Sequence, residues 1–160
     1  MAAKALEGIR VLDLSRILAG PTAAQLLGDA GAEVIKVERP GKGDDARRMG
    51  GLPLKDQASG KALDMAPMYL CSNRNKRSVT LDIAKPEGQE LVRKLAAKAD
   101  VVIENYKTGD LKRYGLDYES LKKINKRLVY CSITGFGQTG PYAGRRIVAV
   151  DALIVKKEGA

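Results

Sequence analysis

Two apolar strand-like runs joined by one helix-length stretch, LEGIRVLDLSRILAGPTAAQLLGDAGAEVIKVER from Leu6 to Arg39, limit what this chain can fold into. Ile9 to Leu14 is short, apolar and rich in β-formers. Gly20 and Pro21 open a helix, with Pro21 expected at its first position, where a missing N–H costs nothing. Ala24, Leu26, Leu27 and Ala30 recur at helical spacing, and Gly31 stands where a left-handed C-cap is wanted. Glu33 to Glu38 reads as the next strand. A strand–helix–strand unit of this length makes the two strands parallel, with their C-terminal ends beside the helix N-terminus. Amide donors and the helix dipole favour anions at that edge. Arg39, the first residue past the second strand, adds a permanent positive charge there. The pattern predicts a phosphate-type anion site.

The 160 residues amount to one domain. No apolar run reaches the roughly 18 residues that a membrane span needs, and MAAKALEGIR lacks the apolar segment of a secretory signal. The expected compartment is the cytoplasm, or the mitochondrial matrix in a eukaryote. Cys71 and Cys131 are far apart and the chain has no histidine, so finger-type zinc sites and histidine-based triads are excluded within it. Both cysteines read as free thiols in a reducing compartment. No metal is expected.

A net charge of +9 favours an anionic partner. Its basic residues are dispersed: Arg74, Lys76 and Arg77, then Lys107, Lys112 and Arg113, then Lys122, Lys123, Lys126 and Arg127. One phenylalanine and no tryptophan leave only tyrosines for base stacking, which argues against nucleic acid. Much of the lysine reads as solvated helix face.

The segment after Arg39, PGKGDDARRMGGLPLKDQASGKALD, reads as a long surface loop. Gly41, Gly43 and Ala46 match a dinucleotide-type glycine pattern, but no apolar helix opens from it, so the match is chance. Met65 to Cys71 suggests a short helix and Ser78 to Ile83 a strand. Lys85-Pro86-Glu87 opens a further helix with Leu91, Val92, Leu95 and Ala96 as its buried stripe. Val101 to Glu104 is an unalternating strand, covered on both faces and ended by Asn105. Thr108 to Tyr114 forms a short helix closed by Gly115, and Asp117 caps another, with Tyr118, Leu121 and Ile124 on one side. Leu128 to Ile133 is a strand, and the glycine-rich loop Gly135 to Pro141 follows. Alternating strands and helices predict a layered α/β sheet, mostly parallel, with helices on both faces. The apolar stretch Ile147 to Val155 either closes the sheet as a last strand or helix, or marks a chain cut inside a larger domain. The cut is the favoured expectation.

Five strings, LEGIRVLDLSRILAGP, LGDAGAEVIKVERPGKGDD, NRNKRSVTLDIAKPEGQE, DVVIENYKTGDLKRYGL and YCSITGFGQTGP, stand in the order and at the spacing of the family III CoA-transferases. The chain resembles the N-terminal part of that family, which contains carnitine, formate and glutarate CoA-transferases. The resemblance implies a Rossmann-like α/β domain over residues 1–144, incomplete relative to the family, and a divergent, truncated tail over 145–160. It implies coenzyme A or acyl-CoA as substrate, a small carboxylic acid as second partner, and the homodimer usual in the family. Carried over by position, Leu18 and Ala19 lie in the turn that approaches CoA. Arg39 lies at its adenine or phosphate end, and Leu81, Asp82, Ile83 and Ala84 line the nucleotide pocket. Asn105 and Tyr106 bracket the pantetheine arm, Arg113 contacts a phosphate, and Arg146 falls near a basic family position.

Members of the family use an aspartate nucleophile that attacks the acyl-CoA thioester and later carries CoA to the acceptor acid, splitting one transfer into easier steps. By resemblance that aspartate belongs beyond the end of this chain. Val150-Asp151 is similar to the family's Tyr-Asp pair, which precedes the nucleophile, so this chain alone is expected to be inactive. The related α-methylacyl-CoA racemases use a histidine that this sequence lacks, which makes the transferase the better branch and a racemase relative the lesser alternative. A non-catalytic CoA- or nucleotide-binding module is the alternative, and general polyanion binding through net charge a third reading.

Overall fold

The computed structural model describes residues 4–145 and the backbone of 152–156. Its strands are β1 (Arg10–Asp13), β2 (Glu33–Glu38), β3 (Lys76–Thr80), β4 (Val101–Glu104), β5 (Val129–Thr134) and β6 (Ala152–Lys156). Its α-helices are α1 (Ala19–Asp29), α2 (Pro67–Asn73), α3 (Pro86–Ala96) and the single turn α4 (Tyr118–Leu121). Short 3-10 helices span Asp45–Arg48 and Asp110–Tyr114. The strands form one sheet in the order β3-β2-β1-β4-β5-β6. The first five are parallel, and β6 joins β5 antiparallel. The chain therefore has the layered α/β architecture expected from its sequence, and 152–156 pair with β5 as a strand, the first of the alternatives read for this stretch.

Alternation along the strands assigns each face its own core. Val11, Val34, Ile103, Cys131 and Ile133 pack with Ala24 of α1 on one face. Leu12, Val37, Val102 and Tyr130 pack on the other with Val92 and Ala96 of α3 and with Leu111, Leu116 and Leu121. Among the described residues no helix is long and apolar enough to cross a membrane.

Helix α1 starts at Ala19, so Pro21 is its third residue rather than its first. The position is still within the first turn, where backbone N–H groups have no helical acceptor. The helix ends as expected. Gly31 has φ +108° and donates to the Gly28 carbonyl, while Ala32 donates to that of Leu27, the paired bonds of a Schellman stop.

Three expected core positions point outward: Leu26, Leu91 and Ile124 are 60%, 46% and 46% exposed. Small or polar residues hold the contacts instead. Gly20, Ala24, Gln25 and Gly28 form the buried stripe of α1, and Gly88, Val92 and Ala96 that of α3. Strand β3 begins two residues earlier than expected and stops at Thr80, which leaves Leu81, Asp82 and Ile83 in the connection to α3. Asp117 stands at the N-cap of α4, but its carboxylate takes the Ser120 hydroxyl and no backbone N–H.

Candidate functional site

The sheet order reverses between β1 and β4: β1 leads outward to β2 and β3, whereas β4 leads to β5. In open α/β sheets the crevice outside the carboxyl ends of such a pair is where ligands bind. Here it is formed by Leu14 to Leu18 after β1 and by Asn105 and Tyr106 after β4. The Asn105 side chain reaches across. Its Oδ1 accepts from the Arg16 N–H and its Nδ2 donates to the Arg16 carbonyl, both at 2.8 Å. Both polar functions of the amide thus hold the β1–α1 turn, and Asn105 acts by positioning that turn.

The next residue of the turn, Ile17, has φ +70°, a conformation that β-branched residues avoid and that persists only when its surroundings enforce it. The enforcement comes from Asp44, whose Oδ1 accepts the Ile17 N–H at 3.0 Å and the Ala46 N–H at 2.9 Å. Close packing completes the turn, because a Cβ on Gly20 would overlap the Ser15 side chain.

Beneath the turn, on the α1–α2 face, inward positions of the strands carry charge instead of apolar side chains. Lys36 is 1% exposed; its Nζ donates to the Ser15 carbonyl at 2.9 Å and pairs with Asp44 Oδ2 at 2.8 Å. Lys76 Nζ meets Asp13 Oδ2 at 2.8 Å, the Pro21 carbonyl at 2.8 Å and Asn73 Oδ1 at 2.9 Å. Asp13 also takes the Ser15 N–H and hydroxyl. Burial lowers the Lys76 pKa although Asp13 opposes the shift. For Asp44, burial opposes ionisation, but Lys36 and two backbone N–H groups outweigh it and hold the carboxyl below its ordinary range.

Glu38, the last residue of β2, is the most heavily bonded group of the set. Arg47 approaches it with a two-pronged fork (2.7 and 2.8 Å), and Tyr69, Ser78 and the Asp44 N–H also donate to it. Burial alone would raise its pKa; the donors reverse that and hold it at about 2. Arg47 also stacks 3.9 Å above the Tyr69 ring. The same bond to Glu38, together with burial, drives the Tyr69 phenol pKa up.

Above this foundation lies a narrow cleft of only about 10 Å³, lined by Arg16, Arg39, Leu81, Ile83 and Tyr106 together with the acidic Glu38 and Asp44. Arg16 lies 4.9 Å from the centre of the Tyr106 ring. Asp45 bridges the two arginines, at 2.5 Å from Arg39 Nη2 and 3.7 Å from Arg16 Nη1. Of the residues expected from sequence, the fold thus gathers Arg39, Leu81, Ile83 and Tyr106 around one cleft. Asp82 and Ala84 belong to the adjoining β3–α3 turn, where the Ala84 N–H donates to the Asp82 carboxylate. Leu18 is the N-cap residue of α1, 47% exposed, and Ala19 starts the helix.

Arg113 stands apart from the cleft lining. It is exposed, stacks on Tyr114 at 4.7 Å, and has Asp110 at 3.9 Å. Arg146 and Asp151 lie outside the described residues.

A second cavity, about 390 Å³, opens at the carboxyl ends of β4 and β5. Glu104, Ser132 and Gln138 form its polar lining, Tyr118, Tyr130 and Leu111 its apolar lining, and Lys107 and Lys112 contribute cations. Burial raises the Glu104 pKa despite hydrogen bonds from Ser132 and the Tyr106 N–H. Sequence reasoning missed Arg16, Asp13, Lys36, Glu38, Asp44, Lys76 and Glu104. Charged residues inside otherwise apolar strands, DLS after VL and KVE after VI, were the available signal.

An open, mostly parallel α/β sheet of this order is a Rossmann-like domain, a fold whose ligands bind in the crevice at the switch point. The profile of CoA-transferase family III matches residues 6–160, and this chain belongs to that family. A succinate–glutarate CoA-transferase of Agrobacterium fabrum is 58% identical over 138 residues, 86% of this chain and 34% of that protein. The human succinyl-CoA:glutarate CoA-transferase is 49% identical over 142 residues, 89% of this chain and 31% of that protein. The crystal structure of a CAIB/BAIF family protein from Brucella suis superposes with TM-score 0.83 at 54% identity, over 91% of this chain and 37% of that one. The chain spans about a third of the length of the curated relatives it matches.

Proposed function

We propose that this chain is the coenzyme-A-binding portion of a family III CoA-transferase, acting in the transfer of CoA from an acyl-CoA such as succinyl-CoA to a dicarboxylic acid such as glutarate. The observation that carries the reading is the convergence of Arg16 and Arg39 with Leu81, Ile83 and Tyr106 in the lining of one cleft at the carboxyl edge of the sheet. Guanidinium forks match phosphate oxygens, and flat apolar surface suits an adenine. The relatives' names supply the acyl donor and the acceptor class.

In this reading the Arg16–Arg39 pair takes the diphosphate or the ribose phosphate, and Leu81 to Ala84 lie along the nucleoside. The exposed N-terminal turn of α1 at Leu18 and Ala19 faces the pantetheine arm. Asn105 contributes by fixing Arg16, whereas Arg113 lies outside the cleft lining and is given no contact with the ligand.

Calorimetric titration of the chain with CoA, ATP and pantetheine tests the assignment. CoA should bind at least about tenfold more tightly than either fragment-like ligand, since it alone engages both ends of the cleft. Equal affinity for CoA and ATP would leave only a general nucleotide site. Transfer of labelled CoA from succinyl-CoA to glutarate by this chain alone should stay at background, and transfer well above it would show that these residues carry the chemistry as well as the binding.

A further inference from the structure

We propose that Asp45 is an internal stand-in for the ligand's anionic group, and that it restricts the Arg16–Arg39 cleft to anions carrying more than one charge. The inference rests on reading this cleft as the CoA site, but concerns a residue to which that reading gives no role. Asp45 divides its carboxylate: one oxygen takes Arg39 Nη2 and the other turns to Arg16 Nη1. The Arg39 fork is therefore half used. Its Nε, on the same edge as Nη2, is buried and has no hydrogen-bond partner. A phosphate placed there would engage Nε and Nη2 together, the two-pronged geometry that guanidinium favours.

The local fold does not need the Asp45 carboxylate. Asp44, not Asp45, caps the 3-10 helix, accepting the Ala46 N–H. Asp45 is 43% exposed on a surface ion pair, and such pairs are weak in water. It is thus poised to be displaced. A monoanion entering the cleft replaces one negative charge by another and gains little. A dianion brings twice the Coulomb attraction to the same two arginines and wins. Asp45 sets selectivity by charge before any contact with the rest of the ligand.

The test titrates the native chain, Asp45→Asn and Arg39→Ala with inorganic pyrophosphate, dimethyl phosphate and CoA, with a thermal melt to verify folding. The native chain should prefer pyrophosphate to dimethyl phosphate. Asp45→Asn should tighten both, the monoanion by about 3- to 10-fold, so that the preference narrows. Arg39→Ala should abolish the binding of both. Unchanged or weaker anion binding by Asp45→Asn overturns the proposal, as does pyrophosphate binding that survives Arg39→Ala or is absent throughout. CoA separates this idea from its parent. Pyrophosphate that responds as stated while CoA fails to bind sinks the CoA reading alone, whereas CoA affinity indifferent to Asp45→Asn sinks the stand-in alone.

Discussion

At the scale of single residues, the site is built by buried charged groups that hold one another in place. Glu38 ties β2, β3, α2 and the loop after β2 through five donors. Its folded pKa of about 2 lies below the ordinary 4.5. The unfolded chain therefore takes up a proton at higher pH than the folded one. Glu38's contribution is complete above about pH 4.5 and is lost as pH falls toward 2. It amounts to roughly 3 kcal/mol. Glu38→Gln should flatten the acid limb of a stability–pH curve over that interval. It should also lower stability near pH 7 by about 3 kcal/mol, since Arg47 is left facing a neutral partner. An acid limb identical to the native one would refute the assignment. Asn105→Ala acts differently. It leaves the N–H and C=O of Arg16 without their partners, a loss of about 1–3 kcal/mol, and lets Arg16 drift from the cleft. CoA affinity should fall roughly tenfold while the fold survives; an unaltered affinity would show that the clasp does not position Arg16.

Elements differ in how much of themselves the sequence displays. The strand–helix–strand unit was legible because its strands are short runs rich in apolar β-formers and its helix ends on a glycine that the Schellman bonds require. Leu81, Ile83 and Tyr106 were placed by the family resemblance, and Arg39 by that and by its position after β2; the fold brings them together because each follows a strand and strand ends in parallel sheets share one edge. The buried stripes were misjudged only in part: Ala24, Val92 and Ala96 are buried as expected, but glycines share their faces where the chain packs too closely for a side chain, Gly28 against Val34 and Gly88 against the Asp82 backbone. Asp13, Lys36 and Lys76 were not legible, because a charge inside a strand looks like a solvent-facing residue until its partner from another strand is known. The same closeness makes a prediction about α1. Gly20→Ala would drive a methyl into the Ser15 side chain, and overpacking of this kind costs about 1–3 kcal/mol. The β1–α1 turn should shift with it. The variant should melt several degrees lower, and its CoA affinity should drop more than the melting shift alone explains. Native stability in Gly20→Ala would mean that the turn has room to give.

Across the whole molecule, the positive charge is only partly available to a ligand. Lys36 and Lys76 are consumed by Asp13 and Asp44, and Arg47 by Glu38. Arg10, Arg74 and Arg77 pair with Glu33 and Asp29 at the far reaches of the sheet. At the crevice, Arg16 and Arg39 share the single carboxylate of Asp45 and stand with the apolar Leu81 and Ile83 in one lining. This separates a shaped site from diffuse attraction. Screening shortens the reach of exposed charges to about 3 Å at molar salt, yet leaves contacts of nucleoside and pantetheine with apolar surface intact. Raising salt from about 0.05 M to 0.5 M should therefore weaken CoA binding by roughly tenfold and then level off. Over the same range, binding of a long polyphosphate held only by net charge should collapse. Two parallel titrations decide the matter. If CoA and polyphosphate lose affinity in step, the +9 net charge, not the cleft, holds the coenzyme.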